Sequence, residues 1–396
     1  MSHRLGMDDV FPFFQPVLAA DTCDVWGYEV LGRVSTPHGP KSLGPFFHDP
    51  TVPAREKLEV DRLIREKALK ILMQAGSTRF TLLLNVQPQW LLPFLDNRER
   101  FLTLQYIESF RIDPEKIVIE ISETEFSGDM EQLALLVDKY RQAGCRIAID
   151  DVGCRLSNFD RIAALKPDIL KVDTRLALAS GYDQTAQNVL DILGFFAAKA
   201  GIDVVMEGVE TAEVLRTGLK AGFRYYQGFL LGSPGPRPSI CPNIRTLMRR
   251  ELEQFADQET ARRKSQFTVI ERLETVVRMY SLSTTPSELE SILTNAVYDL
   301  PVNCYRVYVC DRTGYQITPN FTRDDRGEWK VDTSYRRRNW AWRPYFYPTV
   351  TLCRYFRRGV VSDQYLDLES RRATQTACFP LKNDLFLFVD VDVTCQ

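Results

Sequence analysis

Histidine is scarce in this chain. Its 396 residues hold three, His3, His38 and His48, and none ends a convincing strand-like run, which argues against Ser-His-Asp or Cys-His nucleophilic catalysis. The nine cysteines are odd in number and include no C-x-x-C pair, so a zinc site has little support and reduced thiols, as in a cytoplasmic protein, are the simpler expectation. No run of about 18 apolar residues occurs, and "MSHRLGMDDVFPFFQPVL" lacks the long apolar core of a signal peptide, so no membrane anchoring is expected. The formal net charge is −2, which gives no global pull toward DNA or anionic lipid; any selectivity for a polyanion must be local.

What is present is enough apolar sequence, 44%, to build more than one core, and the length suits two domains at roughly 100–200 residues each. Through the first 240 or so residues, short apolar runs ("FPFFQPVLAA", "RFTLLLNV", "KIVIEIS", "RIAIDDV", "DILKVD", "DVVMEGV", "YYQGFLLG") alternate with longer stretches of helical period. "GDMEQLALLVDKYRQAG" and "QTAQNVLDILGFFAAKAG" are examples, each ending in glycine. Continuous apolar strands separated by such helices predict βαβ units and a parallel sheet. Seven or eight units in this length fit a (β/α)8 barrel, residues 1–242, better than an open sheet.

Polar residues interrupt these runs near their ends: Glu29, Asn85, Glu120, Asp150 with Asp151, Lys171, Glu207 and Gln227. In a barrel the carboxyl ends of the strands converge on one face, where active sites form. Any one of these alone is more often a helix cap or a solvated loop residue. Lys171 could pair with Asp173 or with the cluster, and Asn85 could cap the turn before "QPQW". The joint pattern is what points to a site. Clustered carboxylates repel unless a cation joins them, and all-oxygen donors suit Mg²⁺ or Mn²⁺. Adjacent aspartates can serve two ions, with one carboxylate bridging and its neighbour completing the second site, the arrangement that hydrolyses phosphodiesters.

From about Asn243 to Ser281 no glycine occurs, predicting one long helix or two end to end; residues 243–284 are read as a connector whose apolar ends would suit a homodimer. The last segment, 285–396, reads as a small α+β domain: a short helix around "PSELESILTNAVYDL", a hairpin in "CYRVYVCDRTGYQITPNF", and paired strands "ATQTACFPL" and "DLFLFVDVDV". Trp340, Trp342, Arg343, Tyr345 and Tyr365 are candidates for a small-ligand pocket, against the alternative that they are simply core.

The motifs "YEVLGR", "LLLNV", "IEISETE", "IDDVG", "LKVD", "MEGVET" and "QGFLLGSP", in this order over about residues 10–237, resemble the EAL family of cyclic diguanylate phosphodiesterases. The C-terminal "RNWAWRPYF", "VSDQYLD" and "LFLFVDV" resemble the PAS/Cache-type sensor domain of YkuI-like proteins. The resemblance implies a modified (β/α)8 barrel that opens cyclic di-GMP to its linear dinucleotide with Mg²⁺ or Mn²⁺. It implies that Glu29, Asn85, Glu120 and Asp150 hold one ion, Asp150 and Asp151 the second, and Glu207 acts as ligand or general base. It further implies that Lys171 orients the attacking water, Arg33 pairs with a substrate phosphate, Gln15 sits near a guanine, Gln227 supports the site and Glu123 anchors the loop after the aspartates.

That loop departs from the family pattern D-D-F-G-x-G-x-S-S: here it reads "DDVGCRLSN", with Arg155 where glycine stands. Glycine takes positive φ without steric cost and arginine does not. The alternative reading is therefore a cyclic di-GMP receptor that binds but barely hydrolyses. A more remote one is an enzyme acting on another phosphodiester.

Overall fold

The computed structural model describes residues 6–76, 80–95, 101–122, 129–152, 159–173, 175, 184–239, 243–279 and 285–394. The chain divides into two compact units, Met1–Ala256 and Asp257–Gln396. A single helix, Ile244–Met279, contributes residues to both. Among the described residues no helix is long and apolar enough to cross a membrane.

The first unit is a closed eight-stranded barrel. Its strands are β1 (Val10–Ala19), β2 (Asp24–Val34), β4 (Thr81–Asn85), β5 (Ile117–Ser122), β6 (Arg146–Val152), β7 (Ile169–Val172), β8 (Asp203–Met206) and β9 (Tyr225–Gln227). A two-residue strand, β3 (Lys41–Ser42), pairs outside the ring with β2. The order runs β1-β9-β8-β7-β6-β5-β4-β2, and β2 pairs back to β1 to close the ring.

The expected run of βαβ units fails at its start. β1 and β2 form an antiparallel hairpin, and β1 is antiparallel to β9 as well. The reason is chain length: only residues 20–23 separate β1 from β2, whereas a parallel crossover needs a dozen or more. The remaining pairings, from β2–β4 round to β8–β9, are parallel.

Strand alternation sorts the apolar side chains into two cores. Leu82, Leu84, Ile119, Ile147, Ile149, Leu170, Val204 and Met206 belong to the larger cluster shared with the surrounding helices. The intervening Val17, Leu83, Val118, Ala148, Ile169, Val205 and Tyr225 form a separate cluster that fills the barrel. The lumen is thus plugged by one layer of side chains, and whatever follows on the same face of each strand sits on top of it.

The second unit is β-rich. β10 (Cys304–Asp311), β11 (Asn320–Arg323), β12 (Trp329–Asp332), β13 (Val360–Val361), β14 (Tyr365–Leu366), β15 (Ala373–Pro380) and β16 (Leu385–Asp392) form one antiparallel sheet, order β12-β11-β10-β16-β15-β13 with β14 beside β15. Helix Pro286–Ala296 and the apolar residues Val269, Ile270, Leu273, Val276 and Val277 of the long helix cover one face. Helix Phe346–Phe356 covers the other with Phe346, Val350 and Cys353. β10 and β16 are therefore buried on both faces and read as mainly apolar runs, broken by Arg306 in β10 and by Asp390 and Asp392 in β16.

Candidate active site

Period two explains how the site is assembled. Asn85, Glu120, Asp150, Lys171, Glu207 and Gln227 each stand two residues beyond a barrel-filling residue: Leu83, Val118, Ala148, Ile169, Val205 and Tyr225. Gln15 stands two residues before Val17, as it must on the one strand that runs the other way, and it lies opposite Glu29 in the β1–β2 register. Every strand of the ring places one polar side chain over the same apolar plug.

The aspartate pair is the exception to regular alternation, because neighbours on a strand face opposite ways. The β6–β7 register slips between Ile149 and Val152, which pair with Leu170 and Val172, so β6 carries one extra residue there. Asp151 takes φ 61°, the left-handed region that Asp tolerates better than most residues. This bulge turns Asp151 back toward its neighbour's side: one carboxylate oxygen from each of Asp150, Asp151 and Glu207 lies within 4.8 Å of the others. The Asp151 amide donates to Asp150 Oδ1 at 2.9 Å, and Ser122 Oγ donates to Asp151 Oδ2 at 3.4 Å.

Lys171, fully buried, is the hub. Its Nζ lies 2.7 Å from Glu207 Oε1, 2.8 Å from Glu120 Oε1, 3.5 Å from Asp150 Oδ1 and 3.6 Å from Glu29 Oε2. Asp173 pairs with Arg175 instead. Asn85 is no helix cap: its Nδ2 donates to Glu29 Oε1 at 3.1 Å and Glu120 Oε2 at 3.2 Å. Gln227 Nε2 donates to Glu29 Oε2 at 2.5 Å and Gln15 Oε1 at 3.2 Å. Gln227 Oε1 is buried with no hydrogen-bond partner among the described residues.

One ammonium does not balance this many carboxylates. Burial pushes Glu207 up to about 8, helped by the charge of Asp150. Burial likewise raises Asp150 and holds Glu120 well above the carboxylate range, although Lys171 pulls both down. Burial works to lower the proton affinity of Lys171, but Asp150, Glu120, Glu207 and Glu29 outweigh it and keep the ammonium charged. Two like charges 4 Å apart repel by about 4 kcal/mol at an effective dielectric near 20. The donor set is carboxylate and amide oxygen throughout, and with the orphaned Gln227 Oε1 it fits a hard divalent cation.

A cleft of about 290 Å³ opens beside the acidic cluster, lined by Arg33, Asn85, Ser122, Asp150 and Asp151. Arg33 donates to the Gly32 carbonyl at 2.9 Å and lies over the Phe13 ring; burial lowers its proton affinity against the pull of Glu29. Phe47, His48, Asp61, Arg65 and Trp90 also line the cleft and escaped the sequence reading. The rings of Phe47 and Trp90 lie 6.0 Å apart. Both belong to segments that follow barrel strands, and barrel logic puts such segments on the active face, so "FFH" and "QPQW" carried a usable signal. Glu123 and Arg155 lie outside the described residues. In the second unit, Arg343, Tyr345 and Tyr365 line a separate cleft, while Trp342 stands beside Arg343 but is 65% exposed and outside that lining.

A family profile described as the EAL domain matches residues 1–234, and one described as the EAL-domain associated signalling protein domain matches residues 242–395. The Bacillus subtilis EAL-domain containing protein YkuI is 34% identical over 390 residues, 98% of this chain and 95% of that one. Its crystal structure, in complex with substrate c-di-GMP and calcium, superposes with a TM-score of 0.88 at 33% identity, covering 98% of each chain. A standalone EAL protein from Vibrio cholerae, in its c-di-GMP bound form, gives 0.53 at 26% identity over 60% of this chain and 97% of that one. The cyclic di-GMP phosphodiesterase PdeL of Escherichia coli is 25% identical over 232 residues, 57% of this chain and 62% of that one.

Proposed function

Because the chain belongs to the EAL-domain family, we propose that it is a divalent-metal-dependent phosphodiesterase that opens cyclic di-GMP to the linear dinucleotide, with the C-terminal unit as its sensor. The observation that carries this reading is the β6 bulge, which brings adjacent carboxylates together with Glu207 beside a buried lysine and a phosphate-capable arginine. Glu29, Asn85, Glu120 and Asp150 are the residues for one cation, and Asp150, Asp151 and Glu207 for a second. Five carboxylates against one ammonium leave a surplus of four negative charges if all are ionised, which is the charge of two divalent ions. Bound there, such ions supply an acidified water and stabilisation of the departing oxygen.

The chain's own residues do the rest. Arg33 offers a guanidinium fork to a phosphate of the dinucleotide. Phe47 and Trp90 offer faces on which a guanine stacks, and Gln15, hydrogen-bonded to Gln227, is the amide proposed to lie near a guanine. Lys171 holds Glu120, Glu207 and Asp150 in register and carries a donor toward the water that attacks phosphorus. In that step the water oxygen bonds to phosphorus, one P–O ester bond breaks, and the released ribose oxygen takes up a proton from solvent; Glu207, as cation ligand or as general base, is the group placed to take the proton of the water.

The test is chromatography of cyclic di-GMP incubated with the full chain in Mn²⁺ or Mg²⁺. Conversion to linear dinucleotide, abolished by Glu29→Ala, supports the proposal. Tight binding without conversion in either metal contradicts it and leaves the receptor reading, which Arg155 in place of the family's glycine favours. Turnover that rises in Arg155→Gly with unchanged affinity assigns the weakness to that loop.

A further inference from the structure

The second unit buries an ionic layer on the helix Phe346–Phe356 side of its sheet. Arg306 Nη2 donates to Asp367 Oδ2 at 2.9 Å, and its Nη1 reaches Asp367 Oδ1 at 3.3 Å and Asp390 Oδ2 at 3.2 Å. Asp390 also accepts from Thr376 Oγ1 at 2.8 Å, and Ser370 Oγ donates to Asp367 Oδ2 at 2.8 Å. One arginine thereby takes both buried aspartates.

Arg343 is left over. It is 9% exposed, its Nε is buried without a hydrogen-bond partner among the described residues, and its closest carboxylate, Asp367, stands at 3.8 Å, too far for a hydrogen bond. Its guanidinium instead lies 5.2, 5.7 and 5.4 Å from the rings of Trp342, Tyr345 and Tyr365. The two tyrosine rings are fixed from behind: Tyr345 and Tyr365 stack at 5.0 Å, their hydroxyls hydrogen-bonded to Tyr308 at 2.9 Å and Thr376 at 2.6 Å. A buried cation held by locked walls, its Nε given no hydrogen-bond acceptor among the described residues, calls for one from outside the chain.

Arg343 also lines a cleft of about 550 Å³, whose other walls include Tyr345, Pro348, Val360 and Tyr365. We propose that this cleft binds a small organic monocarboxylate, its carboxylate meeting the Arg343 guanidinium and its apolar body lying against Tyr345, Pro348 and Val360. The single-charge class follows from the lining. Arg343 is the one cation among the described lining residues, and Asp363 on the rim with Asp367 behind disfavours a phosphate dianion. The walls are otherwise mainly apolar and aromatic, so the carbon body is a source of affinity. This site deepens the sensor role proposed above, but its binding is read without reference to phosphodiester hydrolysis.

The test is thermal melting of the full chain with a millimolar series of acetate, butyrate, hexanoate and benzoate, alongside butyramide, benzamide and inorganic phosphate. At least one acid is expected to raise the midpoint of the C-terminal transition by about 3 °C or more at saturation. The matching amide and phosphate should leave it in place. The shift should disappear in Arg343→Gln and shrink in Arg343→Lys, which keeps the charge but loses the fork. Ligand-free Arg343→Gln should melt only slightly below the wild type, since it gives up ring contacts and a long ion pair to Asp367 but no hydrogen bond among the described residues. No shift with any acid, an equal shift with the amides, a shift with phosphate alone, a shift surviving Arg343→Gln, or a ligand-free Arg343→Gln that melts well below wild type each overturns the proposal.

Discussion

The barrel mouth and the second unit's ionic layer both bury arginine or lysine among carboxylates, and they solve the problem in opposite ways. In the second unit two carboxylates share Arg306, and each also accepts a hydroxyl hydrogen bond. Burial works to lower the proton affinity of Arg306, but Asp390 and Asp367 outweigh it and keep it ionised. At the barrel mouth Lys171 faces Glu29, Glu120, Asp150 and Glu207, and burial, with the charges of neighbouring carboxylates adding to it, raises Glu120, Asp150 and Glu207 together. A closed network holds a fold together. An open one is completed by something that arrives from solution.

Breaking each network should therefore have contrasting consequences. Asp150→Asn should abolish turnover, by about 10³-fold or more in kcat, because it removes the carboxylate proposed to be shared by both cation positions. In metal-free protein the same substitution should raise the barrel's melting midpoint, since it relieves like-charge repulsion; a lower midpoint would mean that the carboxylate is structural. Arg306→Met should do the reverse. It strands Asp367 and Asp390 and should cost about 3–5 kcal/mol in the second unit, read by denaturant unfolding, with the barrel's transition unmoved.

Smaller effects sharpen the contrast. Burial raises the Asp390 carboxyl to about 6, against the pull of Arg306, the hydrogen bond from Thr376 and the charge of Arg343, and with the push of Asp367. A carboxyl protonated more readily when folded than when unfolded makes stability fall as pH rises from about 3.8 through about 6. Asp390→Asn should flatten that slope in melting curves taken across pH 4–6. At the cleft, Trp90→Ala should raise KM for cyclic di-GMP by about tenfold with little change in kcat, as loss of a stacking face worth about 1–3 kcal/mol would do. A fall in kcat alone would place Trp90 in the chemistry rather than in binding.

Much of the barrel was legible because its strands are buried on both faces and so appear as apolar runs. The site was legible for a related reason: a Glu, Asn or Lys that breaks such a run must face the lumen, and Asn85, Glu120, Lys171 and Glu207 do so. The opening hairpin went unread because the run Asp24–Val34 was not picked out as a strand beside "FPFFQPVLAA"; the four residues between Ala19 and Asp24 were the overlooked sign. The bulge left no mark beyond the doubled aspartate, since a left-handed φ at Asp151 depends on the register between β6 and β7 rather than on residue type. Arg343 was picked out for its aromatic neighbours, whereas what distinguishes it is the hydrogen bond it lacks, visible only once Arg306 has claimed Asp367 and Asp390.

The most direct test of the open acidic network is a calorimetric titration of the full chain with Mn²⁺, with Asp150→Asn and Glu207→Gln alongside. Saturable binding to the wild type, lost in Asp150→Asn and weakened in Glu207→Gln, is the predicted result. Absence of saturable binding, or binding indifferent to both substitutions, would contradict it, and Lys171 would then be the only cation that pairs with those carboxylates among the described residues.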